Sequence, residues 1–509
     1  MKGLSCPLWS FVVLLTFWHS PAASGYELFG LGDFHGDESF FIKSMLSTGK
    51  FILDEDADIQ WREDAEDEDF EIVITGDYVD RGEKGLTIIK TLMRLHEDWE
   101  DKLIPMVGNH EEFILMLSPD RNDGARDEYD DWPMRERAAG VLGVGDSAEA
   151  VEWLRERPVV FVSRSKILFA HGGVSPNIAT KALQIAARKS SSSSTSERQK
   201  KAIGVINRVA KTHYELLGKC IEQYVIEQAK DDEDDDVEEL VEKLEEKNEE
   251  LEECDDDDED DISEEIESIE HRLRRAAADW ALKESDGSLT RLFQRAKKTN
   301  DCPKKPWPLA TDTSAPGKYQ SHDNGVTWWR GLGNLPSRLK EKKNEKLKFR
   351  SLEKEHTRTC NDVHTVNNKL GLKGQAVGHT TWRFMVDLCP GKNSPGPTVS
   401  LDVSPKECQR KGKKNDDPES CGFAEDSFND YLTNNKRTKM QDKKYAPQSF
   451  HLEEGGTPER CLLQPFQESK VDEIEEGTRV DDDWEIDTNK PVAIECHPLV
   501  DVRKLVETL

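Results

Sequence analysis

Short apolar runs, each followed by a polar tip that contains glycine, recur along the chain. They are Tyr26–Leu31 before Gly-Asp, Ile72–Ile74 before Thr-Gly-Asp, Leu103–Val107 before Gly-Asn-His, Ile167–Ala170 before His-Gly-Gly and Ala376–Val377 before Gly-His-Thr. Runs of this length that are bounded by glycine predict buried strands. We expect their polar tips to gather at one edge of a sheet, where α/β folds place their active sites.

Helical patterns lie between these runs. Apolar residues recur at helical spacing from Leu86 to Leu95, and a second pattern covers Glu112–Leu117. Strands that alternate with helices predict an α/β fold. The pattern is continuous to about Ala187 and resumes near Gly325, so we expect one domain over residues 25–404 with an insertion at residues 190–300.

The predicted insertion begins with a serine run, Ser190–Ser194, and is dominated by Asp and Glu from Asp231 to Asp261. Such composition favours a solvated, partly disordered segment, and the alternative is a tail that attracts cations or a basic partner. A near-heptad spacing of apolar residues also allows a short charged helix, at Val237, Val241, Leu244 and Leu251. Residues 405–509 form a polar, cysteine-containing extension, and the sequence leaves open whether it packs on the domain or is largely unstructured.

Composition agrees with a folded domain that carries polar segments. The 509 residues are 34% charged and 35% hydrophobic, and the formal net charge is −32. This is too polar for one compact core. A surplus of acidic residues repels nucleic-acid backbones, so we expect no nucleic-acid partner.

The N-terminus has the layout of a cleavable signal peptide at residues 1–24, with Lys2, the apolar run Leu8–Trp18 and the small residues Pro21–Gly25. The run is too short to span a bilayer, so we expect no stable membrane insertion. The predicted location is the secretory pathway, in an endomembrane lumen or outside the cell. Beyond Cys6 the chain has nine of its ten cysteines, which predict disulfides with one cysteine left over.

Three polar tips combine acids, imidazoles, an amide and an arginine. They contribute Asp33 and His35, then Asp77, Asp80 and Arg81, then Asn109 and His110. Mixed carboxylate, imidazole and amide ligands suit a divalent transition metal better than calcium. If one carboxylate bridges two ions, they hold a shared hydroxide that attacks phosphorus, and Asp77 is the candidate bridge. An imidazole held by a carboxylate suits a general acid, and an arginine suits phosphate contact.

These segments resemble the GDxHG, GDxVDRG and GNHE signatures of the phosphoprotein phosphatase superfamily, within the calcineurin-like metallophosphoesterases. Two further motifs match in the same order, with His171 in FAHGGVSP and His379 in AVGHTTW. Trp328–Gly331, together with Val377–Thr380, resembles the bacterial-type, Shewanella-like branch rather than the classical serine/threonine phosphatases. The sequence has no copy of the Ser-Ala-Pro-Asn-Tyr segment of the classical branch. The resemblance covers Tyr26 to about Ala187 and about Gly325 to Val403, and it does not account for the insertion or the C-terminal extension.

The resemblance implies a four-layer αββα sandwich of two mixed sheets and hydrolysis of a phosphomonoester, with a phosphoprotein as the expected substrate. It implies two metal ions, drawn from manganese, iron and zinc. One ion is held by Asp33, His35 and His379 with Asp77, and the other is held by Asp77, Asn109 and His171. It also implies that His110, oriented by Asp80, protonates the leaving oxygen, while Arg81 and Arg330 grip the phosphate.

Two other functions remain open at the level of sequence. One is a hydrolase of small phosphate esters such as dinucleoside polyphosphates. A side-by-side assay on a phosphopeptide and a diadenosine polyphosphate would distinguish it from a protein phosphatase. The other is a non-catalytic, acidic, cation-binding protein of the secretory pathway. It predicts many weakly bound ions per chain without turnover, although every ligand and acid of the motifs is present.

Overall fold

A computed structural model describes residues 25–54, 56–116, 131–188, 194–232, 234–253, 259–283, 286–299, 302–304, 306, 308–309, 325–329, 349–379, 385–389, 396–402, 448–463 and 494–501. The predicted signal peptide, most of the serine run and Arg330 lie outside these residues.

The strands follow one another in the order β1 (Glu27–Leu31), β2 (Phe51–Leu53), β3 (Ile59–Trp61), β4 (Phe70–Ile74), β5 (Leu103–Pro105), β6 (Val160–Val162), β7 (Ile167–Ala170), β8 (Gly374–Val377), β9 (Val386–Asp387), β10 (Thr398–Ser400), β11 (Gln448–Glu453), β12 (Glu459–Leu463), β13 (Ile494–Pro498) and β14 (Val500–Asp501). The helices are α1 (Glu38–Leu46), α2 (Gly85–Asp98), α3 (Asn109–Leu115), α4 (Met134–Val141), α5 (Ala148–Glu156), α6 (Pro176–Arg188), α7 (Thr195–Asp231), α8 (Asp235–Glu253), α9 (Glu259–Lys283), α10 (Asp286–Ala296) and α11 (Phe349–Leu370).

The described strands form two mixed six-stranded sheets and the small β2–β3 pair. The first sheet has the order β13-β12-β11-β1-β4-β5, and the second has the order β14-β9-β10-β8-β7-β6. In the first sheet β1, β4 and β5 are parallel, and in the second β7, β8 and β10 are parallel. Every residue of β4 and β7 is buried, as expected for parallel strands covered on both faces.

The two sheets pack face to face, with helices on their outer sides. A Cβ added to Gly30 of β1 would lie 3.0 Å from the Phe169 ring of β7, so this ring packs against the backbone of β1. Helices α1 and α2 lie against the first sheet, and α7 and α11 lie against the second. This arrangement confirms the four-layer α/β sandwich that the sequence predicts.

The C-terminal residues that the structure describes belong to this sandwich. Strand β11 pairs antiparallel with β1, with Leu452 opposite Leu28, and β12 and β13 continue the first sheet. Strand β14 pairs with β9 in the second sheet. Residues 448–463 and 494–501 are therefore packed on the domain, which the sequence alone left open.

The described part of the insertion is a helical layer on the domain. Helix α7 is 37 residues long and buries one face against β6, α5 and α6. The Asn207 amide of α7 donates a 2.9 Å hydrogen bond to Val160 O and accepts a 3.0 Å bond from Val160 N, which ties the helix to the edge of the second sheet. Helix α8 packs on α9, and α9 packs on α7 and α4.

Disulfides join Cys220 to Cys302, Cys360 to Cys389 and Cys461 to Cys496. The first links α7 to the segment after α10. The other predicted candidates, Cys254, Cys408 and Cys421, lie outside the described residues, as does Cys6 of the predicted signal peptide. Within the described ranges, none of the helices combines the length and the apolar character needed to cross a bilayer.

Candidate metal centre and active site

The polar tips of the predicted strands meet at one edge of the sandwich. Asp33 follows β1, Asp77 follows β4, Asn109 starts α3 after β5, His171 follows β7 and His379 follows β8. All five side chains are buried. The two sheets contribute from opposite sides, since the first three lie at the first sheet and the two histidines at the second.

The loops at this edge have an unusual backbone conformation. Five candidate site residues have positive φ, namely His35 (50°), Asp77 (57°), Asp80 (66°), Arg81 (69°) and His379 (65°). Residues other than glycine rarely adopt this left-handed backbone region. Such strain persists only where the surrounding structure imposes it, and it is concentrated at functional sites.

Neighbouring loops hold this conformation through the backbone. The N–H groups of Phe34 and His35 donate to Asp77 O at 3.0 and 2.9 Å. Gly76 has φ of +96°, and a Cβ there would lie 2.2 Å from Gly108 N. Glycine is required at this position because the loops after β4 and β5 approach so closely.

Glu111 holds two of these loops together. Its side chain is fully buried, and its carboxylate accepts hydrogen bonds from the backbone N–H groups of Asp77 (2.7 Å), Tyr78 (2.7 Å) and Gly108 (2.8 Å). Burial and the Asp77 carboxylate raise the pKa of Glu111 to about 7. The sequence contained Glu111 within a motif but gave no reason to assign it this role.

One group of electron-pair donors surrounds His171. Its Nδ1 donates to Thr75 O at 3.0 Å, which leaves the lone pair on Nε2 in the neutral ring. That nitrogen lies 2.9 Å from Asn109 Oδ1, 3.2 Å from Asp77 Oδ2 and 3.1 Å from His379 Nδ1. Converging carboxylate, amide and imidazole donors fit a divalent transition metal.

His35 and Asp33 are the remaining candidate ligands. His35 Nδ1 donates to Val79 O at 3.3 Å, which leaves its Nε2 lone pair 3.7 Å from Asp77 Oδ2. Asp33 Oδ2 accepts a 3.0 Å hydrogen bond from His379 N, while its buried Oδ1 has no hydrogen-bond partner among the described residues. An orphaned buried carboxylate oxygen fits a cation, because a buried negative charge without a partner is costly.

The surroundings of Asp33 and Asp77 shift the pKa values of these two carboxyl groups in opposite directions. Burial raises the pKa of Asp33 well above its ordinary value, and the Asp402 and Asp77 carboxylates add to the rise. Burial also works to raise the pKa of Asp77, but His171 and His110 outweigh it and hold that pKa well below its ordinary value. The surroundings of Asp77 therefore favour its ionised form, whereas those of Asp33 disfavour it.

His110 lies beside these donors and is held by Asp80. Its Nδ1 donates to Asp80 Oδ2 at 2.6 Å, and its backbone N–H donates to Asp77 Oδ1 at 2.9 Å. Burial works to lower the pKa of His110, but the Asp77 and Asp80 carboxylates outweigh it and raise that pKa. An imidazole fixed by a carboxylate on one nitrogen has its other nitrogen available for proton transfer.

Arg81 lies beside both His35 and His110. Its Nη1 lies 2.6 Å from His35 Nε2 and its Nη2 lies 2.9 Å from His110 Nε2, so the guanidinium is beside the candidate centre. Arg330, the second predicted phosphate contact, lies outside the described residues. The described residue Trp328, two positions before it, packs on His379 with ring centroids 5.6 Å apart.

The structure divides the candidate ligands differently from the resemblance in one respect. His379 lies with Asp77 and His171, and the ligand atoms of these three are within 4.8 Å of one another. A separate cluster contains His35, Asp77 and His110. The imidazole of His379 therefore belongs with His171 rather than with His35, because β8 is hydrogen-bonded to β7 and carries His379 to the same side.

Arg137 of α4 is a further contact that no sequence motif indicated. Its Nη1 donates to Asp80 Oδ1 at 2.6 Å. It lies 57 residues from Asp80 in the sequence, and a single arginine on an amphipathic helix gives no local signal of such a contact.

The known proteins to which this chain is similar are phosphoesterases. Residues 29–244 match the family model of the calcineurin-like phosphoesterases. Among solved structures, the chain is similar to the cold-active protein-tyrosine phosphatase of a psychrophilic Shewanella species, with 13% identity and a TM-score of 0.37 over 86% of this chain and 79% of that chain. It is also similar to a protein serine/threonine phosphatase from Saccharomyces cerevisiae, with 15% identity and a TM-score of 0.21 over 31% of this chain and 41% of that chain. TM-scores this low establish neither a shared fold nor a shared function. No curated protein sequence matches the chain.

Proposed function

We propose, from the premise that this chain belongs to the calcineurin-like phosphoesterase family, that this phosphoesterase is a metal-dependent phosphomonoesterase acting on phosphoproteins. The observation that carries the proposal is the meeting of two groups of buried metal-ligand side chains that share Asp77, with the imidazole of His110 held by the Asp80 carboxylate. Donors of this kind, a phosphate-binding arginine and a general acid are what in-line phosphoryl transfer requires.

Six residues would hold the metal ions, with Asp77 shared between the two positions. Asp33 and His35 would serve one position, and Asn109, His171 and His379 would serve the other. Bound ions would supply an activated water and positive charge for the phosphoryl oxygens. The donor set is compatible with manganese, iron or zinc.

The remaining roles belong to the chain's own side chains. Arg81 would bind phosphate oxygens, with Arg330 as the second contact. His110 would give the proton on Nε2 to the leaving oxygen, while Asp80 keeps its Nδ1 proton in place. Because the Nδ1–Asp80 distance is already 2.6 Å, the imidazole would not have to reorient before the transfer.

For location we propose the lumen of the secretory pathway or the extracellular space. The predicted signal peptide supports this, and so do disulfides between three pairs of cysteines, since such bonds persist in oxidising compartments.

The test is turnover by the purified mature chain of an aryl phosphate, phosphoserine and phosphotyrosine peptides and a diadenosine polyphosphate, with and without manganese. Asp77→Asn should abolish metal-dependent turnover and lower the metal content per chain. His110→Ala should slow turnover of the phosphopeptides, whose leaving oxygen needs a proton, by roughly 10²- to 10⁴-fold at unchanged metal content. The exposed Asp101 provides the matched control Asp101→Asn, which should behave as wild type.

Each other outcome has a definite meaning. Turnover of the dinucleotide but of none of the peptides would replace the phosphoprotein substrate by a small phosphate ester. Metal binding without turnover of any substrate would favour a cation-binding protein. Equal activity of wild type and Asp77→Asn would refute the metal centre.

A further inference from the structure

The carboxylate of Asp80 is clamped from two sides. Its Oδ2 accepts from His110 Nδ1 and its Oδ1 accepts from Arg137 Nη1, both at 2.6 Å. The side chains of Arg137 and Asp80 are only 8% and 12% exposed, so this ion pair is largely shielded from water. Burial works to raise the pKa of Asp80, but Arg137 and His110 outweigh it and hold that pKa below its ordinary value.

Asp80 needs such a clamp because its own backbone does not favour its position. Its φ of +66° lies in the left-handed region, which costs about 1 to 3 kcal/mol for a residue other than glycine unless the surroundings impose it. A carboxylate held only by His110 would be free to rotate away from the imidazole. The second bond, from Arg137, fixes its orientation.

Arg137 is itself fixed by the residues before α4. Its Nε donates to Trp132 O at 2.6 Å, and its guanidinium lies 5.9 Å from the centre of the Trp132 ring. Trp132 is fully buried, and its indole N–H donates to Ser147 Oγ at 2.9 Å. The neighbouring Asp131 caps the start of α2 by accepting from the backbone N–H groups of Leu86 and Thr87.

The helical insertion supports the same element. Helix α4 contacts α9 and α10 of the insertion and also contacts α3 and α5. The helix that carries Arg137 therefore contacts both the insertion and α3, the helix that begins with Asn109 and His110.

We propose that Arg137 is a positioning residue for the acid that protonates the leaving group. By clamping Asp80, it keeps the Nδ1 proton of His110 in place and aims Nε2 at the leaving oxygen. The helical insertion contributes by packing α9 and α10 against α4. This inference rests on the proposed function, because it assigns a part of the same reaction.

Leaving groups that differ in their need for a proton provide the test. p-Nitrophenolate departs as a stable anion, whereas phenolate departs well only when protonated. Arg137→Gln should slow turnover of phenyl phosphate by about 10- to 100-fold, but slow p-nitrophenyl phosphate by less than about 3-fold. Arg137→Lys, which keeps a cation near Asp80, should recover part of the loss.

Two further measurements separate positioning from general damage. The metal content per chain should be the same in wild type and Arg137→Gln, because the clamp does not touch the candidate ligands. Adding Arg137→Gln to Asp80→Asn should cost little more than Asp80→Asn alone, since both changes disable one unit. The exposed Arg135 on the same helix provides the matched control, and Arg135→Gln should leave both substrates unaffected.

The proposal is overturned if Arg137→Gln slows both substrates equally, slows neither, or adds its full effect to Asp80→Asn. Thermal unfolding identifies a variant that does not fold, and in that case the substrate comparison is made with Arg137→Lys, which should show a smaller loss of the same kind. A wild-type chain that hydrolyses neither substrate with any metal would instead refute the proposed function and, with it, this role.

Discussion

Replacing Glu111 by glutamine keeps the shape of the side chain and removes one of its two acceptor oxygens. The carboxylate now accepts from Asp77 N and Gly108 N through Oε2 and from Tyr78 N through Oε1. In Glu111→Gln an NH₂ group must take one of these positions and face a backbone N–H. A donor opposite a donor cannot form a hydrogen bond, and the side chain is too deeply buried for water to replace it.

The size of the loss in stability follows from the hydrogen bond that Oε1 accepts from Tyr78 N. If the NH₂ replaces Oε1, one charge-assisted bond is lost, at about 1.5 to 3 kcal/mol, and buried donors are left unsatisfied at about 1 to 3 kcal/mol. The amide also removes the cost of a buried charge beside Asp77, which is the cost that raises the pKa of Glu111, so we expect the net fall in the free energy of unfolding to be about 1 to 3 kcal/mol. Turnover should fall as well, because Glu111 holds the loop of Asp77 in its left-handed conformation.

Urea unfolding followed by tryptophan fluorescence measures the first effect, and metal content with aryl phosphate turnover measures the second. Working at pH 8 keeps the wild-type Glu111 carboxyl ionised, because its pKa is raised to about 7 by burial and by Asp77. The exposed Glu83 gives the matched control Glu83→Gln, with an expected change within about 0.5 kcal/mol. A Glu111→Gln variant as stable and active as this control would refute the reasoning.

Two further predictions concern stability away from the active site. Burial works to raise the pKa of Glu27, but hydrogen bonds from His451 and Lys50 outweigh it and lower that pKa from 4.5 to about 2. The ionised carboxylate therefore stabilises the fold above pH 4.5, and this contribution is lost as the pH falls towards 2; allowing for solvent screening, it is about 1 to 2 kcal/mol. In Glu27→Gln the free energy of unfolding should vary less with pH between 5 and 2 than it does in wild type. The same variation in both proteins would contradict the pairing of Glu27 with His451 and Lys50. Cys220→Ser with Cys302→Ser opens a loop with a sequence separation of 82, which should lower the free energy of unfolding by about 4 kcal/mol. A melting temperature equal to that of wild type would contradict this expectation.

The sequence was sufficient for the elements nearest the candidate site. The run before Asp77 predicts β4, and the run before His171 predicts β7, and both strands form with every residue buried. Burial on both faces is reflected in the apolar runs Ile72–Ile74 and Ile167–Ala170, although β4 also buries Glu71. Glycine likewise marks a tight turn at Gly76, where φ is positive and a Cβ would lie 2.2 Å from Gly108 N.

The division of the candidate ligands was not available from the sequence. His379 lies 208 residues from His171, and only the pairing of β8 with β7 brings the two imidazoles to 3.1 Å. The resemblance supplied both residues but grouped His379 with His35. Order along the chain reports nothing about which side of Asp77 a ligand approaches.

What the sequence by itself determined is local: which segments are strands, where the chain must turn, and which side chains at those turns can bind metal or transfer a proton. Tertiary structure alone decided that β11 completes the first sheet beside β1, that the insertion forms a helical layer, and that Arg137 holds Asp80. The physical reason is that burial and backbone conformation are imposed within a few residues, where the sequence records them. A contact between residues far apart in the chain instead depends on how whole elements pack. The local sequence around Arg137 therefore does not indicate that its partner is Asp80.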